Sequence, residues 1–309
     1  MMKLAVGEVI EGYRITRFLG RGGFSSVYLA QNEQTGGKVA LKVGSLAGGG
    51  RQVTRLLEVT SKRTPEGISP DELPAEAVFF EPRGVRIDLF DQHEVQAMLR
   101  SEADLLENCN HENLVSLQDR LMVDGEAILV LDYVRGKTLR EKIRSLEGIH
   151  LNWFLAIVRA LVSLKESGAL PYHGDLKPEN VVVKPSGKVV LLDPALRRPE
   201  QPVVTTTPHY NPMLMTDSKA DVMSIGIMIY EILTGTLPFD EVPWEYAGRQ
   251  SGGETQRLSL SYFFSYTPPH VLNPKTPEEL GRIVYRCITV QDYGLDELQS
   301  DLESFISKA

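Results

Sequence analysis

Sulfur, basic charge and long apolar runs are all scarce in this 309-residue chain, and each scarcity removes a class of protein. Only two cysteines occur, Cys109 and Cys287, far apart and without metal-ligand spacing. That excludes a disulfide scaffold and a thiolate zinc site, and the pair reads as two buried thiols in a reducing compartment. Lys and Arg total 33 against 41 Asp and Glu, a formal charge of -8. The summed field repels nucleic acid and anionic membrane, so neither is expected as a partner. The longest apolar run, Val222 to Leu233, contains Glu231. It falls short of the roughly 18 residues a membrane span needs and reads as a buried core helix. The first ten residues include Gly7 and Glu8 where an export signal needs a continuous apolar stretch, and the expected location is the cytoplasm. His93, His111, His150, His209 and His270 show no metal spacing, so structural or surface roles are expected for each.

What is present divides into a strand-rich beginning and a helix-rich remainder. Phe18-Leu19, Val27 to Ala30 and Val39 to Leu41 are short apolar runs, and Thr35-Gly36-Gly37-Lys38 is a hairpin signal, so residues 12 to 43 read as a β-meander. From Gly44 to about Phe90 the character changes. Gly48-Gly49-Gly50 and then Pro65, Pro70, Pro74 and Pro82 interrupt the pattern, with Ala77 to Phe80 and Val85 to Leu89 as short strand candidates. Asp91 and Glu94 have capping-box spacing, followed by Val95, Met98, Leu99, Glu102 and Leu106 on one helical face. Glu102 therefore sits on an apolar stripe. Leu114 to Leu117, Leu121 to Val123 and Ile128 to Tyr133 read as three further strands, and helical periodicity dominates from Leu139 onward.

Three segments carry chemistry. Gly20-Arg21-Gly22-Gly23-Phe24-Ser25-Ser26-Val27 lies between two strands, where glycines let main-chain N–H groups approach a phosphate; alone it fits an ordinary hairpin turn equally well. One strand later comes Val39-Ala40-Leu41-Lys42, and Lys42 is the cation that a carboxylate on the apolar face of the Glu102 helix requires. The most specific segment is His173-Gly174-Asp175-Leu176-Lys177-Pro178-Glu179-Asn180, followed by strands at Val181 to Val183 and Val189 to Leu192 that end at Asp193. One carboxylate to take a proton from an attacking hydroxyl, with an amide and a second carboxylate to hold magnesium, is the set that phosphoryl transfer needs.

In this order the segments resemble a eukaryotic-type Ser/Thr protein kinase, and the resemblance runs from about Gly12 to Ala309. It implies an α+β, bilobal protein-kinase-like fold: residues 1–134 as the small lobe and hinge, with an insertion at about 44–90, and 135–309 as the helical lobe. It implies Gly20, Gly22 and Ser25 at the glycine positions of the nucleotide loop, and Lys42 paired with Glu102. Val27, Ala40 and Val182 would enclose adenine beside a hinge of Leu131, Asp132, Tyr133 and Val134. Asp175 becomes the catalytic base, Lys177 a phosphate contact, and Asn180 and Asp193 the magnesium ligands. ATP with Mg2+, or Mn2+ in its place, would be the cofactors and proteins the substrates. Leu106 and Leu117 fall in an internal hydrophobic spine, Thr207-Pro208-His209-Tyr210 in the substrate-side loop, and Asp221 to Gly226 at the start of a buried central helix. Lys177 after Asp175, with Thr207, resembles the hydroxyl-directed Ser/Thr version of the loop.

The pattern also departs from the family. Gly174 replaces the arginine that clamps a loop phosphate, so activity is expected not to depend on phosphorylation at Thr205 or Thr206. Asp193-Pro194-Ala195 keeps the magnesium carboxylate without the usual phenylalanine, and Asn211-Pro212-Met213-Leu214 lacks the glutamate that the family pairs with a late arginine, which is missing too. Lys42 and Glu102 stand 60 positions apart, against roughly twenty in the family. The surplus reads either as a surface loop or as a docking element for a regulatory partner beside the Glu102 helix. Two other functions share these motifs: small-molecule phosphotransferases of the aminoglycoside and fructosamine type, and nucleotide-binding pseudokinase scaffolds.

Overall fold

Alternation of apolar and polar residues between Tyr13 and Gly44 builds the first sheet. The computed structural model describes residues 4–45, 52–61, 78–194, 207, 209–212, 215–239, 262–264, 266–289 and 292–308. Strands β1 (Val9–Ile10), β2 (Tyr13–Arg21), β3 (Ser25–Asn32), β4 (Lys38–Gly44), β7 (Leu117–Val123) and β8 (Glu126–Asp132) form an antiparallel sheet in the order β1-β2-β3-β4-β8-β7. Its two faces serve two cores. Leu41, Val43, Ile128 and Val130 join Ile15, Tyr28 and Ala30 in one cluster. Ala40, Leu129 and Leu131 point the other way, by the period of two along a strand, into a cluster shared with the helical half. That shared core is what places Lys42 on the inner face, opposite Leu129 in register.

Helix α1 (Gln92–Glu107) begins at the capping box expected from sequence. The Asp91 side chain accepts from the Glu94 N–H at 2.9 Å, and the Glu94 carboxylate accepts from the Asp91 N–H at 2.9 Å. Val95, Met98, Leu99, Glu102, Ala103 and Leu106 are its buried stripe. Gly44 lets the helix lie close on the end of β4, since a Cβ there would stand 2.7 Å from Leu99.

The second half holds α2 (Leu139–Arg144), α3 (Leu151–Glu166), α4 (Ser218–Thr234), α5 (Pro269–Leu272), α6 (Glu278–Thr289) and α7 (Leu295–Lys308), with a small sheet of β9 (Lys137–Thr138), β10 (Val181–Val183) and β11 (Val189–Leu191). Helix α4 is the core helix read from the apolar run. It is capped by Asp217, whose side chain accepts from the Lys219 N–H, and it stops at Gly235 in the left-handed region, φ 77°. Every residue from Ala220 to Tyr230 is buried. No helix among the described residues is long and apolar enough to cross a membrane. Cys109 and Cys287 are free and buried, as expected.

Two strand expectations need correction. Leu114 to Leu117 is not a strand of the main sheet: β7 starts at Leu117, and Leu114 makes only an isolated parallel bridge to Leu191. The backbone groups of this run are split among several partners: Leu114 N–H donates to the His111 carbonyl at 3.0 Å, Val115 N–H to the Leu191 carbonyl at 2.9 Å, and the Ser116 carbonyl accepts from Asp132 N–H at 3.0 Å. Within the insertion, the two short candidates are one strand, β6 (Val78–Phe90), because the Pro82 position is absorbed by a register shift rather than a break. It pairs with β5 (Gln52–Ser61) and with β12 (Tyr262–Phe264) in a third sheet, so a pure surface loop is not what fills the described part of 44–90. Gly48 to Gly50, Pro65, Pro70 and Pro74 lie outside the described residues.

Candidate active site

The ion pair expected across 60 positions is formed. Lys42 Nζ donates to Glu102 Oε1 at 2.7 Å and Oε2 at 2.6 Å, with both side chains buried. It also donates to Asp193 Oδ1, so one ammonium ties together β4, α1 and the segment two residues past β11. Burial alone pulls the Lys42 pKa down, but the Asp193 and Glu102 charges outweigh it and leave the ammonium more firmly protonated than a free lysine. Glu102 is pushed up to about 7 by burial, with Lys42 opposing and Asp193 adding to the rise. For Asp193, burial pushes upward, but the Lys42 charge and hydrogen bond hold the carboxyl below its ordinary value. Asp193 adopts φ 57°, rare for a non-glycine residue, and its side chain remains 44 % exposed.

The loop before β10 is held from below by α4. The fully buried carboxylate of Asp221 accepts from His173 N–H at 2.7 Å and Gly174 N–H at 2.8 Å. His173 Nε2–H donates to the Leu192 carbonyl at 2.9 Å, which leaves Nδ1 as an acceptor facing Asp175 N–H at 3.4 Å. Gly174 sits at φ 83°, where an L side chain is strained, so the glycine relaxes this turn.

Asp175 is the hub. Its Oδ1 accepts from the Thr207 N–H and hydroxyl, each at 2.8 Å, and its Oδ2 accepts from Lys177 Nζ at 2.6 Å and Asn180 Nδ2 at 3.3 Å. Lys177 closes a triangle by donating to Thr207 Oγ1 at 2.8 Å. Burial raises the Asp175 pKa above the ordinary carboxylate value, with Lys177 opposing.

Asn180 also donates from Nδ2 to the Asp175 carbonyl at 2.8 Å, and its own backbone carbonyl accepts from Leu192 N–H at 2.8 Å, one residue before Asp193. Both side-chain bonds use the amide nitrogen, which keeps the carbonyl oxygen for another partner. One carboxylate plus one amide oxygen fits Mg2+, which takes few protein ligands and completes its shell with water and phosphate. No cluster of three His, Cys, Asp or Glu side chains with metal-ligand geometry occurs among the described residues.

The remaining expected residues fall on the strands and segments around the shared core. Ala40 faces Leu131 across the β4–β8 pair, and both are buried with Val27 and Val134 packed against the same core. Val182 is buried on β10, pairing with Thr138 and Val190. Asp132 ends β8, Tyr133 and Val134 follow it, and Leu106 and Leu117 both belong to the core that joins the two halves. A Cβ at Gly20 would meet nothing within 4 Å, and one at Gly22 only ordinary contacts at 3.7 Å and beyond. The chain's own packing does not demand either glycine. Ser25 is buried, its carbonyl accepting from Gly22 N–H at 2.8 Å, and Phe24 packs on Val95 and Met98 of α1. Thr205, Thr206, Ala195, Met213 and Leu214 lie outside the described residues.

Sequence reading missed Asp221 as the tether of the loop, and it missed Gly136 and Arg140 entirely. A buried aspartate in an apolar helix carries the same signal as Glu102 and was open to the same argument. Gly136 is required because a Cβ there would stand 2.4 Å from the Val183 carbonyl oxygen. Arg140 donates to Glu179 Oε1 at 2.7 Å, to Glu231 Oε1 and to the Tyr210 hydroxyl, which itself donates to Glu231 Oε2 at 2.7 Å.

Comparison with known proteins gives one consistent answer. The chain is 24 % identical over 326 aligned residues to the serine/threonine-protein kinase PrkC of Bacillus subtilis, covering 99 % of this chain and 42 % of that protein. It is 23 % identical to the probable serine/threonine-protein kinase PknB of Lactococcus lactis, covering 98 % and 44 %. The chain thus spans less than half the length of these curated relatives. Among solved structures, PpkA-294 in its apo form aligns at a TM-score of 0.64 with 19 % identity, covering 97 % of this chain and 99 % of that one. The kinase domain of Mycobacterium tuberculosis PknI aligns at 0.59 with 20 % identity, covering 98 % and 99 %. These likenesses establish the bilobal kinase fold. The profile of the protein kinase domain matches residues 87–291, which takes in α1 with Glu102, the Asp175 loop, Asp193 and the buried α4. With more than half its length inside that match, the chain belongs to the protein kinase domain family.

Proposed function

We propose that this chain transfers the γ-phosphoryl group of ATP to Ser and Thr hydroxyls of protein substrates. The observation that carries the reading is the closed triangle of Asp175, Lys177 and Thr207, with Asn180 attached to Asp175 and Asp193 attached to Lys42. Lys42, fixed by Glu102, presents an ammonium to the nucleotide phosphates. Asn180 and Asp193 hold the divalent ion, Mg2+ or Mn2+, which when bound neutralises charge on the phosphates. Asp175 orients the acceptor hydroxyl and takes its proton, Lys177 balances charge beside it, and Thr207 fixes the carboxylate's rotamer through two hydrogen bonds. Gly20, Gly22 and Ser25 bring main-chain donors over the phosphates. Val27, Ala40 and Val182 enclose the base beside Leu131, Asp132, Tyr133 and Val134. The lobe boundary falls near residue 134, and the protein acts in the cytoplasm.

Gly174 stands in place of the arginine that would clamp a loop phosphate, so the enzyme works without one. Thr205→Ala with Thr206→Ala should leave turnover intact; loss of turnover with ATP binding retained would overturn that part. The β5–β6 hairpin runs directly into α1 and is the place where a regulatory partner would bias Glu102. Its removal should change activity or partner capture. Labelled ATP with magnesium, comparing the native chain with Asp175→Ala and Asp193→Ala, tests the main reading. Label on Ser or Thr of added protein, lost in both variants, is the expected result. Label only on added metabolites, or none at all, defeats it.

A further inference from the structure

We propose that Arg140 occupies, from within the chain, an acidic subsite beside the phosphate acceptor, and thereby directs this kinase to acceptor hydroxyls that are not flanked there by arginine or lysine. The inference rests on the protein-substrate reading above. Its origin is a conflict of position and charge. Glu179 lies in the Asp175 loop two residues after Lys177, and Tyr210 lies in a turn whose N–H donates to the Thr207 carbonyl at 2.9 Å. Both therefore stand within a few residues of the group that takes the acceptor's proton. Glu231, on α4, binds the Tyr210 hydroxyl at 2.7 Å. Two carboxylates beside the acceptor would ordinarily draw a substrate cation.

Arg140 meets that demand first. It comes from α2, whose start is fixed by the Thr138 and Glu141 capping box, and its planar fork spends separate N–H groups on Glu179, Glu231 and Tyr210. Its side chain is 17 % exposed and that of Glu231 12 %, whereas Glu179 is 46 % exposed at the rim. The cluster retains one negative charge with Arg140 in place and two without it. A substrate guanidinium arriving at this point would have to displace a pre-positioned one already bonded to the same oxygens, so it gains little. Remove Arg140, and the same oxygens become a site for a flanking basic residue.

The test scans arginine through each position flanking a single Ser in an otherwise uncharged peptide series and compares the native chain with Arg140→Leu and Arg140→Lys. The native enzyme should show kcat/KM varying less than about threefold across the series. Arg140→Leu should gain about tenfold or more for arginine at one position, the size of a charge-assisted hydrogen bond. Adding Glu231→Gln to Arg140→Leu should erase the gain, and Arg140→Lys should not show it. Binding of the same fluorescent peptides, read by anisotropy, gives the answer without turnover: Arg140→Leu should bind the arginine peptide about tenfold tighter than the native chain. A native enzyme that already favours arginine at that position overturns the proposal. So does an Arg140→Leu chain, folded by circular dichroism, that gains no arginine-specific binding. Failure of the native chain to phosphorylate any peptide counts against the proposed function alone, since the binding comparison still decides the role of Arg140.

Discussion

At the scale of single residues, the site is a set of charges that are tolerable only in company. Glu102 is buried on an apolar stripe and has Lys42 as its cation, while Lys42 has Asp193 as a second partner. Glu102→Ala therefore strands no ammonium completely, and the expected loss of stability is near the lower end for a broken buried pair, about 3 kcal/mol in a urea denaturation series. Thr207 makes a sharper claim, because its hydroxyl donates to Asp175 and accepts from Lys177. Thr207→Ala should lower kcat by roughly 10- to 100-fold, the worth of hydrogen bonds to charged groups, with the KM for ATP little changed. Thr207→Ser should restore most of the rate in the same steady-state assay. Most of this arrangement was legible in the sequence because the proposed phosphoryl transfer needs particular functional groups in a fixed chain order, and the hydrogen bonds join Lys42, Glu102 and Asp193 in one group and Asp175, Lys177 and Asn180 in another. Arg140 was not legible. Its partners Glu179, Glu231 and Tyr210 come from three separate segments, and nothing in the local pattern around an exposed-looking arginine on a short helix announces them.

At the scale of elements, helix ends and close backbone approaches position the chemistry. Asp91 caps α1 one turn before its buried stripe begins, so the cap supports the helix that carries Glu102. Asp91→Ala should cost about 1 kcal/mol, seen as a lower thermal midpoint, with faster amide exchange in the first turn of α1 as the local check. Helix α4 meets α6 at Gly226, where a Cβ would stand 2.4 Å from the Cys287 Cβ. Gly226→Ala should destabilise by about 1–3 kcal/mol by overpacking, and Cys287→Gly in the same chain should recover part of the loss. The β-meander, α1 and α4 were readable from periodicity and caps, since those signals are local. The Leu114 to Leu117 run misled because an apolar stretch of four residues is common to strands and to packed turns, and here its backbone groups go separately to His111, Leu191 and Asp132.

At the scale of the whole molecule, the two halves share one hydrophobic core, with Ala40, Leu99 and Leu131 in the same cluster as Leu176, Val222 and Leu298. A ligand that bridges Lys42 on one side and Asn180 and Asp193 on the other should stabilise both halves together. Mg-ATP at about 100 times its Kd should add about 2.7 kcal/mol, a single cooperative upward shift of the melting curve. Asp193→Ala should lose most of that shift. The third sheet is where whole-chain reading failed, because β12 lies far along the chain from β6 and pairing at such separation leaves no trace in local pattern. That separation has a temporal side. While the chain is being synthesised, the Val78 to Phe80 edge of β6 is made long before Tyr262 to Phe264 exist to cover it. The nascent protein thus carries an open strand edge until Tyr262 to Phe264 have left the ribosome, and during that interval chaperones and neighbouring nascent chains compete for it.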